Sequence, residues 1–193
     1  MKQDILICGV GGQGTVLASR VLAAAAMEAG HPVHSAETIG MAQRGGSVTS
    51  HIRIGAGAWS PLIPPGGADM LLAFEPAEAV RNLSFLRPEG IAIVNTAATR
   101  PVGASLKDTG YDGREMVAWL KDRCACVFVD GEAACRPFGS ARYLNIVLLG
   151  AALGTGRLEL TEELIRNQIR RYVPARFLET NLKAFEAGLS LKS

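Results

Sequence analysis

A chain of 193 residues that is 48% hydrophobic and 20% charged is long enough for one domain with a substantial core. The charged share lies below the ~25% of an average soluble chain, which points to buried interface as well as core. A net charge of +2 and an aromatic content of 6% supply neither the basic field nor the stacking platforms of a nucleic-acid binder, and no stretch approaches the ~20 apolar residues of a bilayer span, since Ile146 to Leu153 is short and broken by glycine.

The chain opens on a strand, Ile5 to Cys8, preceded by Lys2 and Asp4 with no room for a signal-peptide core, so a cytoplasmic protein is expected. The turn GVGGQG follows. Gly9, Gly11 and Gly14 fit the dinucleotide pattern G-x-G-x-x-G, in which glycines tighten a strand-to-helix turn and bring backbone N–H groups to an anion. Thr15 to Ala29 is rich in helix formers and ends at Gly30, the place of a C-terminal glycine cap. A second strand runs from Pro32 to Ala36, and Glu37 then stands 23 residues after Gly14, near the ~20-residue spacing of an acid that grips a ribose hydroxyl.

The next segment breaks the dinucleotide pattern. Too few residues separate Glu37 from the alternating stretch Ser47 to Ile54 for a crossover helix. That stretch reads as a half-exposed strand, with Val48, Ser50, Ile52 and Ile54 on one face and Thr49, His51 and Arg53 on the other. Pro61, Pro64, Pro65, Gly66 and Gly67 mark a long loop.

Alternation of strands and helices resumes at Met70 to Phe74. A helix with Pro76 and Glu78 in its first turn follows, then a strand at Ile91 to Val94, a helix near Arg114 to Arg123, and a strand at Cys126 to Val129. Arg142 to Leu153 reads as a largely buried helix. The next helix has Thr161 as N-cap, Glu162 and Glu163 in its first turn and Arg170 and Arg171 in its last, which complements the helix dipole and marks those arginines as a solvated end. The last carries an apolar stripe of Leu178, Leu182, Phe185 and Leu189 beside a Glu179–Lys183 pair. The expected fold is α/β: an open, Rossmann-like, mostly parallel sheet with helices on both faces and a C-terminal helical segment, in one domain over residues 1–193.

Ligands of such sheets bind beyond the carboxyl ends of parallel strands. The glycine turn, Glu75 after Phe74, and Asn95-Thr96 after Val94 fall there, with Glu37 and the loop Gln43 to Ser47 bordering the same rim. Arg44 with Gly45-Gly46 could offer a guanidinium and bare N–H groups to a phosphate or carboxylate, or form a turn packed on another subunit. Glu75 could be an acid/base group or the cap of the following helix, the simpler role. The candidate substrate- or anion-binding set is Gly9, Gly11, Gly12, Gln13, Gly14, Glu37, Gln43, Arg44, Gly45, Gly46, Glu75 and Asn95, with no catalytic residue singled out. His31, His34 and His51 lack metal-ligand spacing and read as surface or hydrogen-bonded histidines. Cys8, Cys124, Cys126 and Cys135 contain a C-x-C but no C-x-x-C, so reduced thiols are expected and no metal or cluster.

The segments GVGGQGTVLASRVLAAAA, AETIGMAQRGGSVTSHIRIG and ARYLNIVLLGAALG together resemble the gamma subunit or domain of the 2-oxoacid:ferredoxin oxidoreductases, nearest to the small (beta) chain of the indolepyruvate branch. The likeness runs from Ile5 to about Gly188, with the GxGGQG turn, the R-G-G loop and N-x-x-x-L-G-A (Asn145 to Ala151) in the family's order. The resemblance implies complexes that decarboxylate a 2-oxoacid on thiamine diphosphate, pass electrons through iron–sulfur clusters to ferredoxin, and usually transfer the acyl group to coenzyme A. This chain lacks the G-D-G…N-N signature and any cluster-type cysteine run, so those cofactors are implied for a catalytic partner subunit rather than for this chain alone. The expected role is an accessory subunit that docks beside the thiamine site and helps close the substrate or coenzyme A channel, meeting ferredoxin only indirectly; a homodimer remains open for the isolated chain. The alternatives are a free-standing Rossmann-type dinucleotide-binding protein, using GVGGQG and Glu37, and a purely architectural subunit.

Overall fold

The computed structural model describes residues 2–39, 45–99 and 110–191. Among these residues six strands, β1 (Gln3–Val10), β2 (Val33–Ile39), β3 (Ser47–Ile54), β4 (Ala68–Ala73), β5 (Leu86–Asn95) and β6 (Ala125–Val129), form one sheet ordered β2-β3-β1-β4-β5-β6. The helices are α1 (Thr15–Glu28), α2 (Pro76–Asn82), α3 (Arg114–Lys121), α4 (Gly131–Cys135), α5 (Leu144–Gly154), α6 (Glu162–Tyr172) and α7 (Ala175–Leu189). β1, β4, β5 and β6 run parallel, while β3 is antiparallel to both β1 and β2. The expected α/β architecture with a mostly parallel sheet is therefore present, and its departure from a doubly wound half is a β-hairpin at one edge.

Strand periodicity divides the core in two. Ile5, Ile7, Ile52, Met70, Leu72 and Ile93 face α1, α5, α6 and α7, whereas Leu6, Cys8, Leu71, Ala73, Ala92 and Val94 face α2 and α3. Every residue of β1 is buried, as befits a strand covered on both faces. Its pairing with β3 is pinned by Arg53, whose Nε and Nη2 donate to the two carboxylate oxygens of the register partner Asp4, both at 3.0 Å.

Ser47–Ile54 forms a strand with the expected bounds, but its second face is covered more than the alternation implies. His51 is buried, its ring edge-on to Phe85 at 5.6 Å, and its Nδ1 accepts the Ile63 N–H at 3.1 Å. The loop with Ile63 folds over this face, a long-range contact that alternation cannot encode. Burial lowers the His51 pKa. The unfolded state then binds the proton more readily, so stability falls as pH drops below the ordinary imidazole value of about 6.5. Urea midpoints at pH 7.5 and 5.5 are expected to show this slope, and His51→Gln to flatten it.

The C-terminal helices pack by way of glycine. An added Cβ on Gly150 of α5 would lie 2.2 Å from the Phe185 carbonyl oxygen of α7, and one on Gly188 would lie 2.1 Å from that of Val147. The family-like stretch Asn145 to Ala151 thus marks a helix crossing at backbone contact.

Candidate functional site

The glycine turn joins β1 to α1 at the carboxyl end of the parallel strands. Gly14 is the N-cap of α1 with φ 84°, a left-handed conformation that favours glycine, and it supplies no side-chain cap to the first-turn N–H groups. A Cβ on Gly14 would also strike Asn145 Nδ2 at 2.6 Å. At Gly9 the limit is space, since an added Cβ would stand 2.8 Å from both Gln13 Oε1 and Phe74 Cβ. Gly12, with φ 103°, has open space beside it and needs glycine for its backbone alone.

Gln13 turns its amide inward. Oε1 accepts the Val10 N–H at 2.7 Å, and Nε2 donates to the Phe74 carbonyl at 3.0 Å and to Thr99 Oγ1 at 3.1 Å. Asn95 Nδ2 donates to the same Phe74 carbonyl at 2.9 Å, and its Oδ1 accepts the N–H groups of Ala97 and Gly131. Both amides, placed by the sequence among candidate ligand contacts, lock the ends of β1, β4 and β5 together. Around them lies a cleft of ≈ 320 Å³ lined by Gly12, Gln13, Gly14, Asn95, Ala97 to Thr99, Gly131, Glu132, Ala141, Arg142 and Leu144.

Arg142 and Glu132 are the charged residues of this lining, and neither forms an ion pair with a described residue. The Arg142 guanidinium and the uncapped N-terminus of α1, where the helix dipole is positive, both favour an anion, and the Glu132 carboxylate is the one charge in the lining that opposes them. Arg142, read from sequence as part of a buried helix, sits instead in the 3-10 turn Ala141–Tyr143 that precedes α5. Gly139, with φ 70°, and Ser140, whose Oγ accepts the Arg142 N–H, turn the chain there. Gly139-Ser140 is the only sequence signal that could have separated Arg142 from the helix.

A second cleft of ≈ 470 Å³ lies on the α2 and α3 side, lined by Val10, Gly45, Ser47, Glu75, Glu78, Arg81, Thr99 and Tyr111 among others. Glu75 is 2% exposed and caps α2, its Oε2 accepting the Glu78 N–H at 3.0 Å. Its Oε1 accepts from the Tyr111 hydroxyl, and burial together with this carboxylate raises the Tyr111 pKa. Glu78 accepts from Ser47 Oγ at 2.6 Å and pairs with Arg81. Burial and the two carboxylates push the Cys8 thiol up. Tyr111→Phe would strip Glu75 Oε1 of its donor and is expected to cost about 1–3 kcal/mol in thermal or urea unfolding, because a buried acceptor is left unpaired.

The remaining candidates divide. Gly45 and Gly46 stitch their loop to the glycine turn, with Gly11 N–H donating to the Gly46 carbonyl at 2.8 Å and Gly45 N–H to that of Gly11 at 3.4 Å. Gln43 and Arg44 lie outside the described residues. Glu37 is exposed on β2, at the sheet edge, and lines neither cleft. The reason is topological: β3 lies between β2 and β1, which sets Glu37 two strand spacings, about 9–10 Å, from the glycine strand.

All four cysteines are free thiols, and no group of three or more His, Cys, Asp or Glu among the described residues could hold a metal ion. No described helix is long and apolar enough to cross a membrane.

Against known proteins, residues 4–191 match the family model described as pyruvate ferredoxin/flavodoxin oxidoreductase. The chain is 36% identical over 193 residues to indolepyruvate oxidoreductase subunit IorB of Thermococcus kodakarensis, covering 98% of this chain and 96% of the relative. In fold it is similar to the keto/oxoacid ferredoxin oxidoreductase gamma subunit of Geobacter sulfurreducens, with a TM-score of 0.71 at 24% identity over 98% and 97% of the two chains. It is also similar to part of the 2-oxoglutarate:ferredoxin oxidoreductase of Magnetococcus marinus, solved with 2-oxoglutarate, coenzyme A and succinyl-CoA bound, with a TM-score of 0.75 at 18% identity over 98% of this chain and 31% of that one.

Proposed function

The chain belongs to the pyruvate ferredoxin/flavodoxin oxidoreductase family, and from that premise we propose that it is an accessory, gamma-type subunit of a thiamine-diphosphate- and iron–sulfur-dependent 2-oxoacid:ferredoxin oxidoreductase. It docks on the catalytic subunit and walls the channel through which the 2-oxoacid or coenzyme A reaches the thiamine site. The observation that carries this reading is the state of the cleft beside GVGGQG. Gln13 and Asn95 spend their amides on the protein's own backbone, so what remains for a ligand is the N-terminus of α1 and the Arg142 guanidinium. Such a surface can hold an anionic portion of a molecule whose reacting part is handled elsewhere.

The described cysteines meet only as the pair Cys124 and Cys126, short of the four thiolates an iron–sulfur cluster takes, so in this reading the clusters reside on another chain. The names of the full-length relatives make indolepyruvate the first oxoacid to assay, with pyruvate and 2-oxoglutarate as comparisons.

The test is reconstitution. Purified chain mixed with its catalytic partner should support 2-oxoacid-dependent ferredoxin reduction, and undiminished activity from the partner alone would overturn the proposal. Arg142→Ala should leave the complex intact on size exclusion and lower turnover about tenfold, equivalent to ~1.4 kcal/mol of lost transition-state stabilisation. Unchanged turnover would favour a purely architectural subunit. A dinucleotide-binding protein is disfavoured by the interposed β3 and the distant Glu37; calorimetric titration with NAD and FAD is expected to show no tight site.

A further inference from the structure

We propose that Cys124 and Cys126 form a dithiol site that reacts with a small hydroperoxide and closes to an intrachain disulfide. Their Sγ atoms lie 3.2 Å apart, both residues are half-buried, and both thiols point at the Leu120 carbonyl at 3.8 Å. Cys124 occupies the bend that leads into β6, and Cys126 is the second residue of that strand, which lies at the sheet edge.

The backbone permits closure. Two residues of fully extended strand span at most about 6.8 Å, which lies within the Cα separations that disulfides bridge. Bond formation asks the sulfurs to approach by about 1.2 Å, to the ~2.05 Å of an S–S bond. The other two thiols offer no such geometry. Cys8 and Cys135 are buried on separate elements, and burial pushes Cys135 up to about 11.

The hydrogen bond between the two sulfurs can stabilise a thiolate at either one. With Cys124 as the attacking thiolate, Cys126 is the resolving thiol, and the reverse order gives the same disulfide. The Cys124 thiolate attacks one peroxide oxygen, the O–O bond breaks, and the leaving alkoxide takes a proton to depart as alcohol, or as water from hydrogen peroxide. Cys124 is then a sulfenic acid. Cys126 attacks the sulfenic sulfur, the S–O bond breaks, and hydroxide leaves with the thiol proton as water. The two electrons given up by the thiols reside in the alcohol and water.

The experiment uses the full chain and hydrogen peroxide as the probe, followed by alkylation in denaturant and peptide mapping. The expected product is a loss of two hydrogens confined to the peptide carrying Cys124 and Cys126, reversed by dithiothreitol, with Cys8 and Cys135 still alkylated. Either single variant, Cys126→Ser or Cys124→Ser, should abolish the disulfide and leave a dimedone-reactive sulfenic acid at the remaining thiol. Two thiols that remain alkylatable in the wild-type chain, or oxidation to sulfinic acid without a disulfide, would overturn the proposal. The readout on the unmodified sequence stands even where a variant folds poorly.

Discussion

Gly150→Ala is expected to lower the melting temperature of the isolated chain by about 6–12 °C, corresponding to ~3 kcal/mol for a chain of this size. Helix propensity alone predicts the opposite sign, because replacing a helical glycine by alanine gains up to about 1 kcal/mol. The geometry decides. The new methyl carbon would sit 2.2 Å from the Phe185 carbonyl oxygen, 2.9 Å from the Leu189 nitrogen and 3.0 Å from the Gly188 Cα. Those are backbone atoms of α7, so no rotamer change relieves them and the helices must separate. Separation is costly because α5 is buried from Leu144 to Ala152 and its apolar side chains belong to the larger core. Gly188→Ala meets the Val147 carbonyl at 2.1 Å and should do similar damage. The double variant should lose less than the sum, since a gap opened for one methyl accommodates part of the other. Melting curves decide the matter, and a shift under about 2 °C for Gly150→Ala would contradict backbone contact at this crossing.

Local chemistry was legible wherever one segment encodes it. The strand at Ser47–Ile54 follows from alternation, the N-cap at Thr161 from the residues after it, and Glu75 takes the capping role that Pro76 and Glu78 foreshadow. Residue counting between Glu37 and Ser47 correctly excluded a crossover helix. It could not reveal that the resulting hairpin places β3, rather than β2, against β1, because pairing partners are a long-range choice. That choice removes Glu37 from the glycine turn. The half-exposed reading of β3 failed at His51 for the same kind of reason, since its cover comes from Ile63 and Phe85, outside the strand's own pattern.

The candidate site was legible as a turn and not as a cleft. GVGGQG announces a tight strand-to-helix junction, but residue type cannot tell whether Gln13 and Asn95 reach outward to a ligand or inward to carbonyls. Both reach inward, and they converge on one acceptor, the Phe74 carbonyl, which no sequence pattern marks. Arg142 and Gly131 arrive from segments more than a hundred residues downstream of the turn: Arg142 through a 3-10 turn that from sequence reads as part of α5, and Gly131 as the first residue of α4, a short helix absent from the sequence-based expectation.

Gln13→Glu separates these roles of the turn most sharply. The substitution keeps an oxygen able to accept the Val10 N–H, but it replaces the amide donor by an acceptor facing the Phe74 carbonyl and Thr99 Oγ1. Two oxygens about 3 Å apart with no proton between them repel, and the charged group sits where burial disfavours it. At pH 7 the expected loss is about 2–4 kcal/mol, the sum of an unpaired buried acceptor and the partly buried charge. The new carboxyl would be easier to protonate in the folded state than in the unfolded one, because its neutral form can donate to Phe74. Its folded pKa is therefore raised, the native state binds more protons, and the loss should shrink as pH falls toward 5. Gln13→Ala, which leaves the Val10 N–H unpaired instead, should be destabilised without that recovery. Unfolding curves of both variants at pH 7 and pH 5 make the comparison. Equal pH dependence in the two would mean that the Gln13 amide faces solvent and that the cleft wall is built in some other way.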